Sequence, residues 1–380
     1  MAFVAVLFSL LLVLGGLGPA PAQAVTFDTM ARAAILVDHR TGQVLYARNP
    51  DEPLPPASMS KLMTAYLVFE RLRAGTLSLD DELPVSEKAW RTEGSRMFLE
   101  VGKRVKVRDL LRGMIIQSGN DACVVLAEGL AGSEEAFAAM MNDKARELGL
   151  TQSHFANATG LPDPRHYMSV RDLAILASAI IRDFPEYYRI YSEREFTWNG
   201  IRQYNRNPLL QRGVPGVDGM KTGYTAEAGY GLVASAERNG RRLVLVISGL
   251  EGARQRASEA ERLLEFGFRE FQEYRLFEAG ETVVEADVWL GEVAKVPLVG
   301  QQLIAVTLTR EARKDLVVKA RYDNPVAAPI AAGTPLGELV VTAPGMERYS
   351  VPLIAGRDIA SAGVLGRISG ILRYVLFGNG

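Results

Sequence analysis

The sequence is poor in the residues that metal and redox chemistry use. One cysteine, Cys123, in 380 residues excludes an intramolecular disulfide and any cysteine-based metal site. There are three histidines, His39, His154 and His166, scattered along the chain with no H-E-x-x-H or similar ligand pair. A metalloenzyme is therefore not expected, and no metal or organic cofactor is implied. Net charge is equally scarce. Forty-three basic residues against 44 acidic ones leave a formal charge of −1, which gives no electrostatic case for nucleic-acid binding.

Charge is also missing from the first apolar run, AFVAVLFSLLLVL (residues 2–14), which has no Lys or Arg before it. The run is short for a spanning helix and is followed by Ala22-Gln23-Ala24, the small-residue spacing that suits signal-peptidase cleavage. Residues 1–24 are read as a cleaved export signal rather than an uncleaved anchor. The mature chain would begin near Val25 and work outside the cytoplasm, where a single thiol is tolerated.

The length allows two domains, or one domain and an appendage. ARAAILVDHRTGQVLYARNPD (31–51) has two apolar runs around a turn with Gly42 and predicts a β-hairpin. Helical patterns dominate from Pro55 to about Glu147, and 151–215 is loop-rich with shorter helices. VPGVDGMKTGYT, GYGLVASAERNG and RRLVLVISGL then predict three strands, with Asn239-Gly240 as a tight turn. An amphipathic helix, QRASEAERLLEFGFREF, follows. Strands, many helices, strands and a helix predict an α/β (α+β) domain, in which both ends of the chain build one antiparallel sheet covered by helices.

Residues 275–355 change character, with short Val-, Leu-, Thr- and Pro-rich runs separated by glycine, and predict a small all-β domain. In the last stretch, Val364, Leu365, Ile368, Ile371, Leu372, Val375 and Leu376 share a helical arc of roughly 140°. Arg367 and Arg373 flank or oppose that arc, and no acidic residue follows Asp358. A basic, one-faced apolar helix is read as an interfacial membrane anchor rather than a helix docked on its own protein. The expected divisions are 1–24, 25–273, 274–357 and 358–380.

PPASMSKLMTAY (55–66) puts Ser58 three residues before Lys61, one helical turn apart, at the start of an apolar helix. Alone, the pair reads more readily as an N-cap and a solvated charge than as a serine nucleophile with a lysine base. S-x-x-K is expected on the order of once by chance in such a chain, K-T-G on the order of a tenth of a time. The set is what carries weight: S-x-x-K (Ser58, Lys61), then S-x-N (Ser118, Asn120), then K-T-G (Lys221, Thr222, Gly223), in that order.

With these motifs the chain resembles the low-molecular-mass penicillin-binding proteins that are serine-type D-alanyl-D-alanine carboxypeptidases. The resemblance extends over QSGNDAC, SHFANATGLPD, VDGMKTGYT, ERLLEFGF, the β-domain and the amphipathic tail. It implies a penicillin-recognising serine transpeptidase/β-lactamase-like fold with a C-terminal β-sandwich domain. By the same resemblance Ser58 is the nucleophile, Lys61 its base, and Ser118 a proton carrier to the leaving amine. Asn120 holds Lys61 and the substrate amide, and Lys221 and Thr222 meet the terminal carboxylate. Gly223 lets the substrate backbone approach the strand, and Arg256 is a second carboxylate-binding cation. The N–H groups of Ser58 and Tyr224 form the oxyanion hole. Tyr224 departs from the histidine common after K-T-G. His154 and Cys123 are read as structural.

The implied partners are peptidoglycan stem peptides, β-lactams as acylating inhibitors, and the inner membrane surface on its periplasmic side. Three rivals share the chemistry. A class A β-lactamase would need a glutamate for its water, and no E-x-x-L-N segment is present. A D,D-endopeptidase and a penicillin-sensing module without turnover stay open.

Overall fold

The structure, a computed structural model, describes residues 27–364 and Ile368. The expected export signal and most of the expected C-terminal helix lie outside the described residues. Strands β1 (Ala33–Asp38) and β2 (Val44–Arg48) form the expected N-terminal hairpin. The chain then runs through five main helices: α1 (Lys61–Arg73), α2 (Val107–Ile116), α3 (Asn120–Ala131), α4 (Glu134–Glu147) and α5 (Val170–Asp183). It returns to the sheet as β3 (Val217–Thr225), β4 (Gly229–Arg238) and β5 (Arg241–Leu250), and helix α6 (Ala253–Glu270) follows. The antiparallel order is β2-β1-β5-β4-β3, so both chain segments share one sheet and β3 is an edge.

Both faces of this sheet are covered, and the strands are apolar at consecutive positions for that reason. Ile35, Val37, Val244 and Val246 point into the core shared with α1, where Leu62 and Phe69 are fully buried. Leu36, Leu243, Leu245 and Ile247 alternate to the other face and meet Leu263, Leu264 and Phe266 of α6.

The C-terminal β-domain starts directly after α6. Its strands are β6 (Phe271–Phe277), β7 (Thr282–Trp289), β8 (Lys295–Val299), β9 (Ile304–Thr309), β10 (Val317–Tyr322), β11 (Val326–Ala327), β12 (Pro335–Thr342) and β13 (Tyr349–Ala355). Six of them form a sheet in the order β10-β12-β13-β8-β7-β11, and β6 pairs with β9. Ile359 and Ser361 bridge Ile330 and Gly291, so residues 358–363 belong to the β-domain and not to the helix expected from 358. Among the described residues no helix is long and apolar enough to cross a membrane.

One buried carboxylate ties the domains together. Asp38, at the end of β1, accepts from the Thr307 hydroxyl of β9 at 3.0 Å and from Arg241 Nε at 3.0 Å. Its other oxygen accepts the backbone N–H groups of Arg40 and Thr41. Gln43 Oε1 accepts the Thr307 N–H, so the β1–β2 turn holds β9 through both side chain and backbone.

The turn that carries Ser58 is built by close approach. Pro55 and Pro56 lead into a 3₁₀ turn, Ala57–Ser60, that runs straight into α1. Gly160 packs on it with φ +78°, and a Cβ there would lie 2.0 Å from the Ala57 carbonyl oxygen and 2.7 Å from Ser60 Oγ. Gly160→Ala is expected to destabilise the protein by about 1–3 kcal/mol through overpacking and backbone strain, read as a lower urea midpoint. An unchanged midpoint would contradict this packing.

Candidate active site

The cap reading of Ser58 fails on geometry. Neither end of the 3₁₀ turn nor the start of α1 uses a side-chain cap. Instead Lys61 Nζ lies 2.7 Å from Ser58 Oγ, 2.8 Å from Asn120 Oδ1 and 2.5 Å from the Thr159 carbonyl oxygen. Lys61 is 1% exposed. Burial lowers its ammonium to about 8, and the charge of Arg206 acts in the same direction.

These partners suit a neutral amine. The carbonyl of Thr159 and Oδ1 of Asn120 only accept, so they take the two N–H bonds of an uncharged amine. Its lone pair is then left for the Ser58 hydroxyl proton. Asn120 is itself oriented, because its Nδ2 donates to the Glu93 carbonyl at 2.7 Å.

Gln117, Ser118 and Gly119 form the link between α2 and α3, and Asn120 opens α3. Ser118 has φ +68°, a left-handed backbone that is uncommon outside glycine. Its Oγ accepts from Lys221 Nζ at 2.9 Å. Lys221 lies on β3, is 2% exposed, and burial together with the Lys61 charge holds its ammonium well below the ordinary lysine range. The hydroxyl of the middle motif thus stands against the lysine of the third.

Two more cations complete the surroundings. Arg206 donates to Ser95 Oγ at 2.5 Å. Arg256, near the start of α6, stands with its guanidinium 5.5 Å from the Tyr230 ring centroid, and burial lowers both arginines. Among the described residues none of Lys61, Lys221, Arg206 or Arg256 forms an ion pair with a carboxylate. A cluster of positive groups left without anions favours an anionic ligand.

The edge strand lies against the serine turn. A Cβ on Gly223 would meet the Pro56 carbonyl oxygen at 2.8 Å and Met59 at 3.0 Å. The missing side chain of Gly223 thus lets β3 close on the turn that carries Ser58. Thr222 is buried beside it, and Tyr224 follows with its ring 55% exposed.

Ser58, Lys61 and Asn120 are therefore joined by direct contacts, as are Ser118 and Lys221, with Thr222, Gly223 and Tyr224 on the adjoining edge. Arg256 stands one strand away, near Gly231, the residue paired with Gly223. His154 stays apart, its Nδ1 2.6 Å from the Arg165 carbonyl. Cys123 is fully buried, which pushes its thiol up to about 12. Sequence reasoning missed Thr159 and Arg206. Thr159 contributes only a backbone carbonyl, and nothing in the local sequence separates Arg206 from a surface arginine.

The profile of the D-alanyl-D-alanine carboxypeptidase family matches residues 20–252, and that of the C-terminal domain of penicillin-binding protein 5 matches residues 271–361. D-alanyl-D-alanine carboxypeptidase DacC of Escherichia coli is 42% identical over 345 residues, covering 89% of this chain and 86% of the relative. DacA of Haemophilus influenzae is 39% identical, covering 89% and 87%. The crystal structure of penicillin-binding protein 5 from Haemophilus influenzae superposes with a TM-score of 0.83 at 37% identity, covering 89% of this chain and all of that one. Penicillin-binding protein D2 from Listeria monocytogenes, in its ampicillin-bound form, superposes at 0.59 with 33% identity over 64% of this chain and 99% of that one. With two sequence motifs meeting at the buried Lys61 amine and the third reaching Ser118, and relatives matching across both domains, the chain belongs to the D-alanyl-D-alanine carboxypeptidase family.

Proposed function

We propose that the protein is a serine-type D-alanyl-D-alanine carboxypeptidase that removes the terminal D-alanine from peptidoglycan stem pentapeptides. The observation that carries this is the buried Lys61 amine, 2.7 Å from Ser58 Oγ and without a carboxylate partner. Ser58 Oγ attacks the carbonyl of the terminal D-Ala-D-Ala bond while its proton passes to neutral Lys61. The tetrahedral oxyanion is held by the N–H groups of Ser58 and Tyr224. Collapse breaks the C–N bond. Ser118 passes its proton to the leaving amine and is reprotonated from the Lys61 ammonium, which returns to the neutral amine, and free D-alanine departs. The acyl-enzyme with the penultimate D-alanine is then hydrolysed by water, with neutral Lys61 taking the water's proton and returning it to Ser58 Oγ as the ester bond breaks.

Binding follows from the same residues. The substrate backbone adds to the edge of β3 that has no strand partner among the described residues, and its amide meets Asn120. Its terminal carboxylate meets Lys221, Thr222 and Arg256, groups that otherwise have no anion. A β-lactam presents a strained amide and a carboxylate in the same relation and acylates Ser58. Solved relatives bound to ampicillin and cefotaxime support this reading. The apolar leader supports export through residues 1–24, and the basic amphipathic stretch at the C-terminus supports peripheral attachment to the periplasmic face of the cytoplasmic membrane.

Wild type is expected to release free D-alanine from a peptide ending in Lys-D-Ala-D-Ala, and Ser58→Ala to lose that release by at least about a thousandfold. Release that survives the substitution would mean another nucleophile. No release from wild type would move the reading to an endopeptidase or a sensor. For attachment, removing residues 360–380 is expected to free the protein from sedimenting membranes. A truncated form that still sediments with them contradicts the anchor.

A further inference from the structure

Arg256 holds a charge that its surroundings barely satisfy. Its Nε is buried with no hydrogen-bond partner, and its Nη1 reaches the Gly231 carbonyl only at 3.5 Å. What fixes the guanidinium is an aromatic ring, with the Tyr230 centroid 5.5 Å away, inside the range of a cation–π contact. The same ring is stacked on Tyr224 at 4.2 Å between centroids and 30° between planes. Tyr224 is 55% exposed, so core burial gives no reason for an aromatic side chain there.

The register explains how the three groups come together. Tyr224 pairs with Tyr230 across β3 and β4, and Gly223 pairs with Gly231. The stack therefore runs from the residue after K-T-G, across one strand, to the arginine of α6. We infer that Tyr230 is a positioning residue for recognition of the substrate's terminal carboxylate. Its ring orients the Arg256 guanidinium, and the Tyr224 ring keeps Tyr230 in place. This rests on the reading of Arg256 as a carboxylate-binding cation. A free arginine side chain has many rotamers, and a ring that holds it in one removes part of the ordering cost of binding. The tyrosine that departs from the usual histidine after K-T-G supplies the outer ring of the stack.

The test compares two peptides ending in Lys-D-Ala-D-Ala, one with a free terminal carboxylate and one with a terminal amide. Wild type, Tyr230→Leu, Tyr230→Phe and Arg256→Ala are assayed on both. Tyr230→Leu is expected to raise KM for the free acid about tenfold with kcat little changed, and to leave the amide unaffected. Tyr230→Phe keeps the ring and should retain the wild-type values. Equal changes on both peptides, or no change on either, overturn the inference, since a merely structural role moves both. If Arg256→Ala erases the preference for the free acid and Tyr230→Leu does not, the stack is wrong and the carboxylate reading stands. If Arg256→Ala keeps that preference, both fail.

Discussion

An ammonium buried without a carboxylate is penalised by desolvation, and Lys61 is such a group, 1% exposed with only neutral oxygens around it. Lowering its pKa from 10.5 to about 8 costs about 3 kcal/mol of stability wherever the amine is protonated. The penalty is full below pH 8 and fades as the pH rises toward 10.5, because the unfolded chain then loses its proton as well. The chemistry depends on that cost. The burial that destabilises the ammonium makes an amine available near neutral pH, and an ion pair with a nearby acid would cancel both effects. No acid pairs with Lys61 among the described residues, and the field of Arg206 on Lys61, and of Lys61 on Lys221, pushes the same way as burial, with the charge of Asp121 opposing it at Lys61.

The scaffold supplies the stiffness that such a site needs. A sheet apolar on both faces holds β3 as a firm edge, and α1 is buried along most of its length. The serine turn is clamped from two sides by residues without side chains: Gly223 of the edge strand and Gly160 of the loop after Thr159. Thr159 gives its carbonyl to Lys61 from the residue before Gly160, so one close approach both seats the turn and orients the amine. The β-domain is tied to the back of the same sheet through Asp38, which lies on β1 and reaches Thr307.

Much of this is legible in the sequence because residue type is decisive at the reacting positions. A hydroxyl beside an amine, a second hydroxyl with an amide, and a lysine on a strand are each common, but their order is rare. That one sheet is built from both ends of the catalytic domain followed from the apolar runs there, while the order of its strands did not. Other features were not legible for physical reasons. A backbone carbonyl such as that of Thr159 has no side-chain signature, and Arg206 acquires its role only through folding beside Ser95. The packing of Gly223 on Pro56 and Met59 was not legible either, since a sequence does not say which neighbour a missing Cβ would have met. The start of the C-terminal helix was misjudged because Ile359 and Ser361 pair with residues far back in the chain.

The central claim, that Lys61 is held near neutrality by burial without a counter-ion, is tested most directly by titrating it. In protein labelled with [13Cε]lysine, the Lys61 resonance would be assigned by its loss in Lys61→Arg and followed with pH. The account predicts a midpoint near 8, with acylation of Ser58 rising tenfold per pH unit below it and levelling above. A midpoint at or above the ordinary lysine value of 10.5 would contradict it, since the amine would then be charged whenever the serine has to lose its proton.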